Sequence, residues 1–71
     1  MIKFLLDSPD LPKDQQDITE YEVPVVAKGA ALQLAKQHNV AVNIYQQQSG
    51  TPISPFTLYM VVHPNGITEY L

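Results

Sequence analysis

Apolar and polar residues alternate in five short segments, and alternation with a period of two predicts β-strands. The segments are residues 1–6, 18–23, 40–47, 56–63 and 67–71. In the first, Ile2, Phe4 and Leu6 share one predicted face, while Lys3 and Leu5 share the other.

The fourth segment, residues 56–63, is a strongly apolar strand candidate. One predicted face, directed toward the core, holds Phe56, Leu58, Met60 and Val62. The opposite face holds Thr57, Tyr59, Val61 and His63. A strand that follows this alternation throughout would place Tyr59 and Val61 on the same surface.

A helix is predicted between the second and third strands, with Pro24 in its first turn, where a missing N–H group costs nothing. Small residues recur there at spacings of three and four, which predicts one face against a sheet. That stripe consists of Ala27, Ala31, Leu34, Ala35 and His38. Asn39 tolerates the left-handed conformation that ends many helices.

Residues that break regular structure separate these elements. Loops are predicted over 7–17, which is rich in Asp and Pro, and over 48–55. Pro64, Asn65 and Gly66 match positions two to four of a type I turn. The predicted order is β-β-α-β-β-β, an α+β fold of two layers in which one helix packs on a mostly antiparallel sheet.

Length and composition limit the function. The 71 residues are enough for one small domain, which spans 1–71. The sequence contains no Cys that could form a disulfide or a thiolate metal site. No apolar run approaches the length of a signal peptide or a membrane span. We therefore expect a cytoplasmic protein without a membrane segment.

The chain carries few groups that catalyse reactions or bind metals and phosphates. Its two histidines, His38 and His63, fall in different predicted elements and lack the spacing of a zinc site. The acidic loop lacks the glycine and closing glutamate of a calcium-binding loop, and the three glycines are isolated. We expect no catalytic residue, no cofactor and no bound metal.

The charges are distributed unevenly. Six of the seven Asp and Glu residues lie within 1–22, the formal net charge is −3, and Arg is absent. Nucleic-acid-binding domains present a basic face, which four scattered lysines do not form. The acidic loop is either a solvated surface or a steering surface for a basic partner, with Asp10, Asp14 and Asp17 as its candidate residues.

The uncovered face of the sheet is the main candidate site. The alternation places Tyr45, Tyr59 and Val61 there, together with Tyr70. Tyrosine is enriched at interfaces, so these four residues are predicted to bind a partner. The same pattern is also compatible with ordinary cross-strand packing on a solvent-exposed face.

The small acidic format and the predicted element order resemble several phage-encoded inhibitors of bacterial defence systems, including anti-CRISPR proteins. This resemblance implies an inhibitor and extends only to size and layout. From the residues we expect a non-enzymatic protein-binding module that acts as an inhibitor or regulator and forms a homo-oligomer. The alternative is a nucleic-acid-associated regulator that stacks bases on the aromatic sheet face.

Overall fold

Residues 2–48 and 56–70 of this computed structural model contain four strands, one α-helix and one short 3₁₀ helix. These elements are β1 (Ile2–Asp7), the 3₁₀ helix (Lys13–Gln15), α1 (Pro24–His38), β2 (Val42–Gln48), β3 (Thr57–Val62) and β4 (Thr68–Tyr70). The strands form one antiparallel sheet in the order β1-β2-β3-β4, and α1 packs against it. The predicted α+β class with one helix on an antiparallel sheet is therefore confirmed.

The second predicted strand is reduced to a single pairing with β1. Phe4 and Tyr21 form an antiparallel bridge in which each N–H group donates to the other residue's carbonyl oxygen, at 2.7 and 2.9 Å. The rest of 18–23 does not continue the ladder, and Ile18 is 86% exposed. The segment thus lies beside β1 but contributes one bridge instead of the predicted strand.

The helix begins and ends where the sequence predicts. Pro24 is its first residue, and Asn39 follows its last turn with φ 54° and ψ 48°, the left-handed conformation. The side chains of Ala27, Ala31 and Ala35 are completely buried against the sheet. Because alanine side chains are short, the helix backbone lies close to the strands.

The core lies between α1 and one face of the sheet. It combines the three alanines with six larger side chains from β1, β2 and β3, namely Phe4, Leu6, Val42, Ile44, Met60 and Val62. Each of the six is less than a tenth exposed. Leu34, predicted on the helix stripe, is half-buried and packs at the border of this cluster.

A β-bulge in β3 changes which side chains face the helix. Ile44 pairs with Met60, but the next residue of β2, Tyr45, pairs with Leu58, so Tyr59 is the extra residue. Beyond such a bulge the alternation of faces is reversed. The prediction that Leu58 faces the core with Met60 is therefore wrong.

The turn between β3 and β4 has the predicted form. The Gly66 N–H donates to the His63 carbonyl oxygen at 3.0 Å, and the His63 N–H donates to the Ile67 carbonyl oxygen at 2.9 Å. Gly66 has φ +91°, which strains any other residue. This is a type I turn followed by a glycine bulge. Most of the loop predicted over 48–55 lies outside the described residues.

The side chain of Gln16 organises the loop that follows β1. Its Oε1 accepts a hydrogen bond from the Ser8 N–H at 3.0 Å, and its Nε2 donates to the carbonyl oxygens of Ser8 and, at 2.9 Å, Leu11. A single carboxamide therefore pairs with both backbone groups of Ser8, just after β1, and the Leu11 N–H also donates to the Ser8 carbonyl oxygen at 2.9 Å.

None of the helices in the described part of the chain has the length and apolar character needed to cross a membrane.

We expect Gln16→Glu to lower the free energy of unfolding by about 1–3 kcal/mol, because a carboxylate would replace the amide that donates to two carbonyl oxygens. Urea denaturation at pH 7 measures the effect. The matched control is Gln15→Glu, which adds the same charge at the exposed neighbouring position. Equal midpoints for the two variants would contradict this role of Gln16.

Candidate functional site

The sheet face opposite α1, here called the outer face, has an apolar centre. Cross-strand pairs join Leu5 to Tyr45 and Tyr45 to Leu58, and Val61 lies opposite Asn43. All five side chains are half-buried. Neighbouring side chains on the same face already shield one another partly, so a contacting protein would bury a continuous apolar surface.

A shallow groove of about 300 Å³ extends along the outer face between Asp7 and Phe56. Leu5 and Tyr45 line it together with Phe56, the residue before β3, which is 47% exposed. Large apolar side chains around a depression provide a place where a partner's side chain could insert. The sequence did not point to Phe56, which was expected to face the core.

Tyr59 and Tyr70 do not belong to the outer face, contrary to the prediction. The bulge turns Tyr59 toward the helix side, where its ring centroid lies 5.2 Å from that of Phe4. Tyr70 pairs with Met60 and packs edge-on against Tyr59 at 6.4 Å. The predicted set of four therefore divides into two pairs on opposite sides of the sheet.

Leu58 takes the place on the outer face that the sequence assigned to Tyr59. Nothing within β3 marks this exchange, because every residue from Leu58 to Val62 is compatible with a strand. The bulge is defined only by the register between β2 and β3. The structure thus brings Tyr45 and Val61 together as predicted and adds Leu58 and Phe56.

The predicted acidic residues differ in their surroundings. Asp10 and Asp14 are exposed in the loop after β1. The Asp17 carboxylate instead accepts hydrogen bonds from the Tyr21 hydroxyl at 2.7 Å and from the Thr19 N–H at 2.9 Å. Two of the three candidates are thus accessible to a partner, whereas Asp17 fixes its own segment.

These hydrogen bonds lower the pKa of Asp17. Partial burial is the largest single influence and acts to raise that pKa, but the hydrogen bonds from Tyr21 and Thr19 together outweigh it. The hydrogen bond to Asp17 is also the main reason why the pKa of Tyr21 is raised. Both shifts favour the charged carboxylate with the neutral phenol.

Charged side chains surround the apolar centre of the outer face. Asp7 and Glu69 occupy the cross-strand row that contains Asn43 and Val61. His63 Nε2 lies 3.3 Å from a Glu69 carboxylate oxygen. At the opposite corner, Lys3 is paired with Glu20 at 2.6 Å.

Because Lys3 is paired with Glu20, it leaves little uncompensated positive charge at this border. An exposed ion pair of this type contributes at most about 1 kcal/mol to the free energy of unfolding. Within residues 2–48 and 56–70, no three His, Asp or Glu side chains are arranged to hold a metal ion. The geometry thus provides an apolar contact surface with an acidic border, which is suited to binding.

Comparison of this chain with protein-family models, curated proteins and solved structures found no match.

The hydrogen bond between Tyr21 and Asp17 should make stability depend on pH. A lowered pKa in the folded state stabilises the protein above the unfolded pKa of about 3.9, and this contribution disappears as the pH falls through the folded value. We expect Tyr21→Phe to cost about 0.5–1.5 kcal/mol at pH 7 and progressively less below about pH 4.

Urea denaturation of both proteins between pH 2.5 and 7 tests this expectation. Tyr45→Phe is the matched control, since it removes one tyrosine hydroxyl from the outer face. A cost of Tyr21→Phe that stays constant over this pH range would show that the hydroxyl does not act through the Asp17 carboxylate.

Proposed function

We propose that this protein is a non-enzymatic protein-binding module that acts as an inhibitor or regulator by covering a surface of another protein. The observation that carries the proposal is the outer face, where Leu5, Tyr45, Leu58 and Val61 are contiguous and no element of the described chain covers them. Contiguous exposed apolar surface is typical of interaction sites.

The size of the outer face limits the complex. Three strands of six or seven residues and one of three, about 4.8 Å apart and with 3.4 Å per residue, span roughly 360 Å². A stable interface takes about 800 Å² from each partner. The groove at Phe56 and the exposed loop with Asp10 and Asp14 would supply part of the remaining area.

Charge defines the chemistry of the partner. Asp7 and Glu69 lie on the outer face, Asp10 and Asp14 are exposed nearby in sequence, and the net charge is −3. A complementary surface has an apolar centre with Lys or Arg around it. Such charges act mainly by raising the association rate. Because salt screens them, association should slow and binding should weaken as the salt concentration increases.

The aromatic composition of the outer face also bears on the nucleic-acid alternative. Of the predicted tyrosines Tyr45 lies on this face, beside Phe56, and Tyr59 and Tyr70 do not, whereas single-stranded nucleic acid is held by several stacked rings in a basic groove. Carboxylates at the border would repel phosphate. These observations favour a protein partner over RNA or DNA.

The biological form of this function is an extension of the proposal. A small protein that occupies a partner's surface inhibits whatever that surface does, without a catalytic group. An inhibitor of a bacterial defence protein, carried by a phage and acting in the cytoplasm, is the form that the resemblance in size and layout implies.

A double variant tests the outer face. Tyr45→Thr with Val61→Thr keeps strand-forming side chains but removes apolar area, and each anchor residue is expected to contribute about 2 kcal/mol or more to binding. We expect that this variant no longer captures the proteins that the wild type captures from a host lysate. Val26→Thr, at a helix position that is 53% exposed, is the matched control.

Circular dichroism establishes that each variant is folded, and mass spectrometry identifies the captured proteins. If the folded double variant captures the same proteins as the wild type, the outer face is not the binding site. Salt-sensitive binding of fluorescent RNA or DNA to the wild type, lost in the same variant, would support the nucleic-acid alternative instead.

Self-association remains a further prediction. The outer face could pair with that of a second copy, which gives a homodimer at micromolar concentration. Sedimentation equilibrium over a tenfold concentration range should then show a mass above 7.9 kDa that falls on dilution. A constant mass of 7.9 kDa would contradict it.

A further inference from the structure

The two edges of the sheet differ in whether their backbone groups are paired. At β1, both backbone groups of Phe4 pair with Tyr21, and both backbone groups of Ser8 pair with the Gln16 side chain. At the other edge, the sheet order ends with β4, and no described segment pairs with its outer side. The β4 edge is therefore the one available for adding a strand.

The turn geometry shows which groups β4 presents. The His63 N–H donates to the Ile67 carbonyl oxygen, which makes these residues a hydrogen-bonded pair. Such pairs alternate along an antiparallel ladder, so Val61 with Glu69 is the next one. The N–H and C=O groups of Glu69 thus face β3, and those of Thr68 and Tyr70 face outward.

A second groove of about 300 Å³ lies beside this edge, on the helix side of the sheet. Its lining residues come from the start of α1, β3 and β4, namely Pro24, Val25, Lys28, Tyr59, Met60 and Tyr70. Val25 is 72% exposed and Tyr70 is 63% exposed. A strand added to β4 would direct the side chain opposite Tyr70 toward this groove. That side chain would shield Val25 and Tyr70 from solvent.

Charge determines which strand fits. Two copies that pair symmetrically through Thr68 and Tyr70 would place Glu69 directly opposite Glu69 of the second copy, and like charges at opposite positions are destabilising. The Glu69 side chain is 62% exposed. A Lys or Arg opposite it would instead gain a favourable pair.

We propose that the β4 edge binds an extended segment of a partner protein by strand addition, with a Lys or Arg opposite Glu69 and an apolar side chain beside it in the groove at Tyr70. Main-chain hydrogen bonds to Thr68 and Tyr70 give affinity, and the alternate side chains give specificity. This surface is separate from the outer-face centre at Tyr45, so the two proposals can fail independently.

The probe is a fluorescein-labelled peptide of seven residues in which valine and threonine alternate, beginning with valine, and lysine replaces the central threonine. The comparison peptide carries glutamate at that central position. Fluorescence anisotropy should show binding of the lysine peptide and at least about tenfold weaker binding of the glutamate peptide. Glu69→Lys should reverse that order. Equal affinities, or no binding of either peptide at millimolar protein, would overturn the proposal.

Thr68→Pro tests the main-chain contacts. Proline at an edge position removes an outward N–H without disturbing the ladder to β3, so the variant should fold and lose at least tenfold in affinity. Unchanged affinity would exclude strand addition. If Thr68→Pro does not fold, the charge reversal at Glu69 decides the proposal alone.

Tyr45→Thr is the control for the outer face and should leave peptide affinity unchanged. Tenfold weaker peptide binding in Tyr45→Thr would locate the peptide on the outer face and overturn the edge proposal, with the proposed function intact. If sedimentation shows a dimer that Thr68→Pro abolishes, the edge instead pairs with a second copy, which also overturns the proposal.

Discussion

The packing of one alanine-faced helix against one side of the sheet is the constraint on which the rest of the structure depends. Ala27, Ala31 and Ala35 bring the helix close enough for Val42 and Ile44 to be completely buried beneath it. Residues 2–48 and 56–70 contain a single α-helix, so within them only one sheet face is covered in this way. The outer face is therefore available to bind a partner, and charged side chains lie at its border.

The loop after β1 stabilises the same core from the side. Gln16 and Tyr21 satisfy backbone groups along the β1 edge, and Asp17 holds the Tyr21 hydroxyl. Buried polar groups without partners are costly, so these hydrogen bonds stabilise the β1 edge, and Tyr21 also packs against the core. Much of its polarity thus has a structural role, and among the three predicted acidic residues Asp10 and Asp14 are the exposed ones.

Local pattern was sufficient to predict the helix, its ends and the β3–β4 turn, because Pro24 restricts its own backbone and because Asn39 and Gly66 are residue types that tolerate positive φ. The alternation within each strand also predicted the position of Tyr45 and Val61, next to the buried Ile44 and Val62. The bulge at Tyr59 depends on the register of β3 against β2, a contact between distant residues. The division of the tyrosines between two surfaces could therefore not be read from the alternation.

The unequal edges of the sheet have a consequence for stoichiometry. A chain with two open edges can be joined at both, and repeated joining produces fibrils. Here the Phe4–Tyr21 bridge and the Gln16 carboxamide occupy the β1 edge. Growth by strand pairing would therefore stop after one addition at β4, so that any such complex is finite, with one added segment for each copy of the chain.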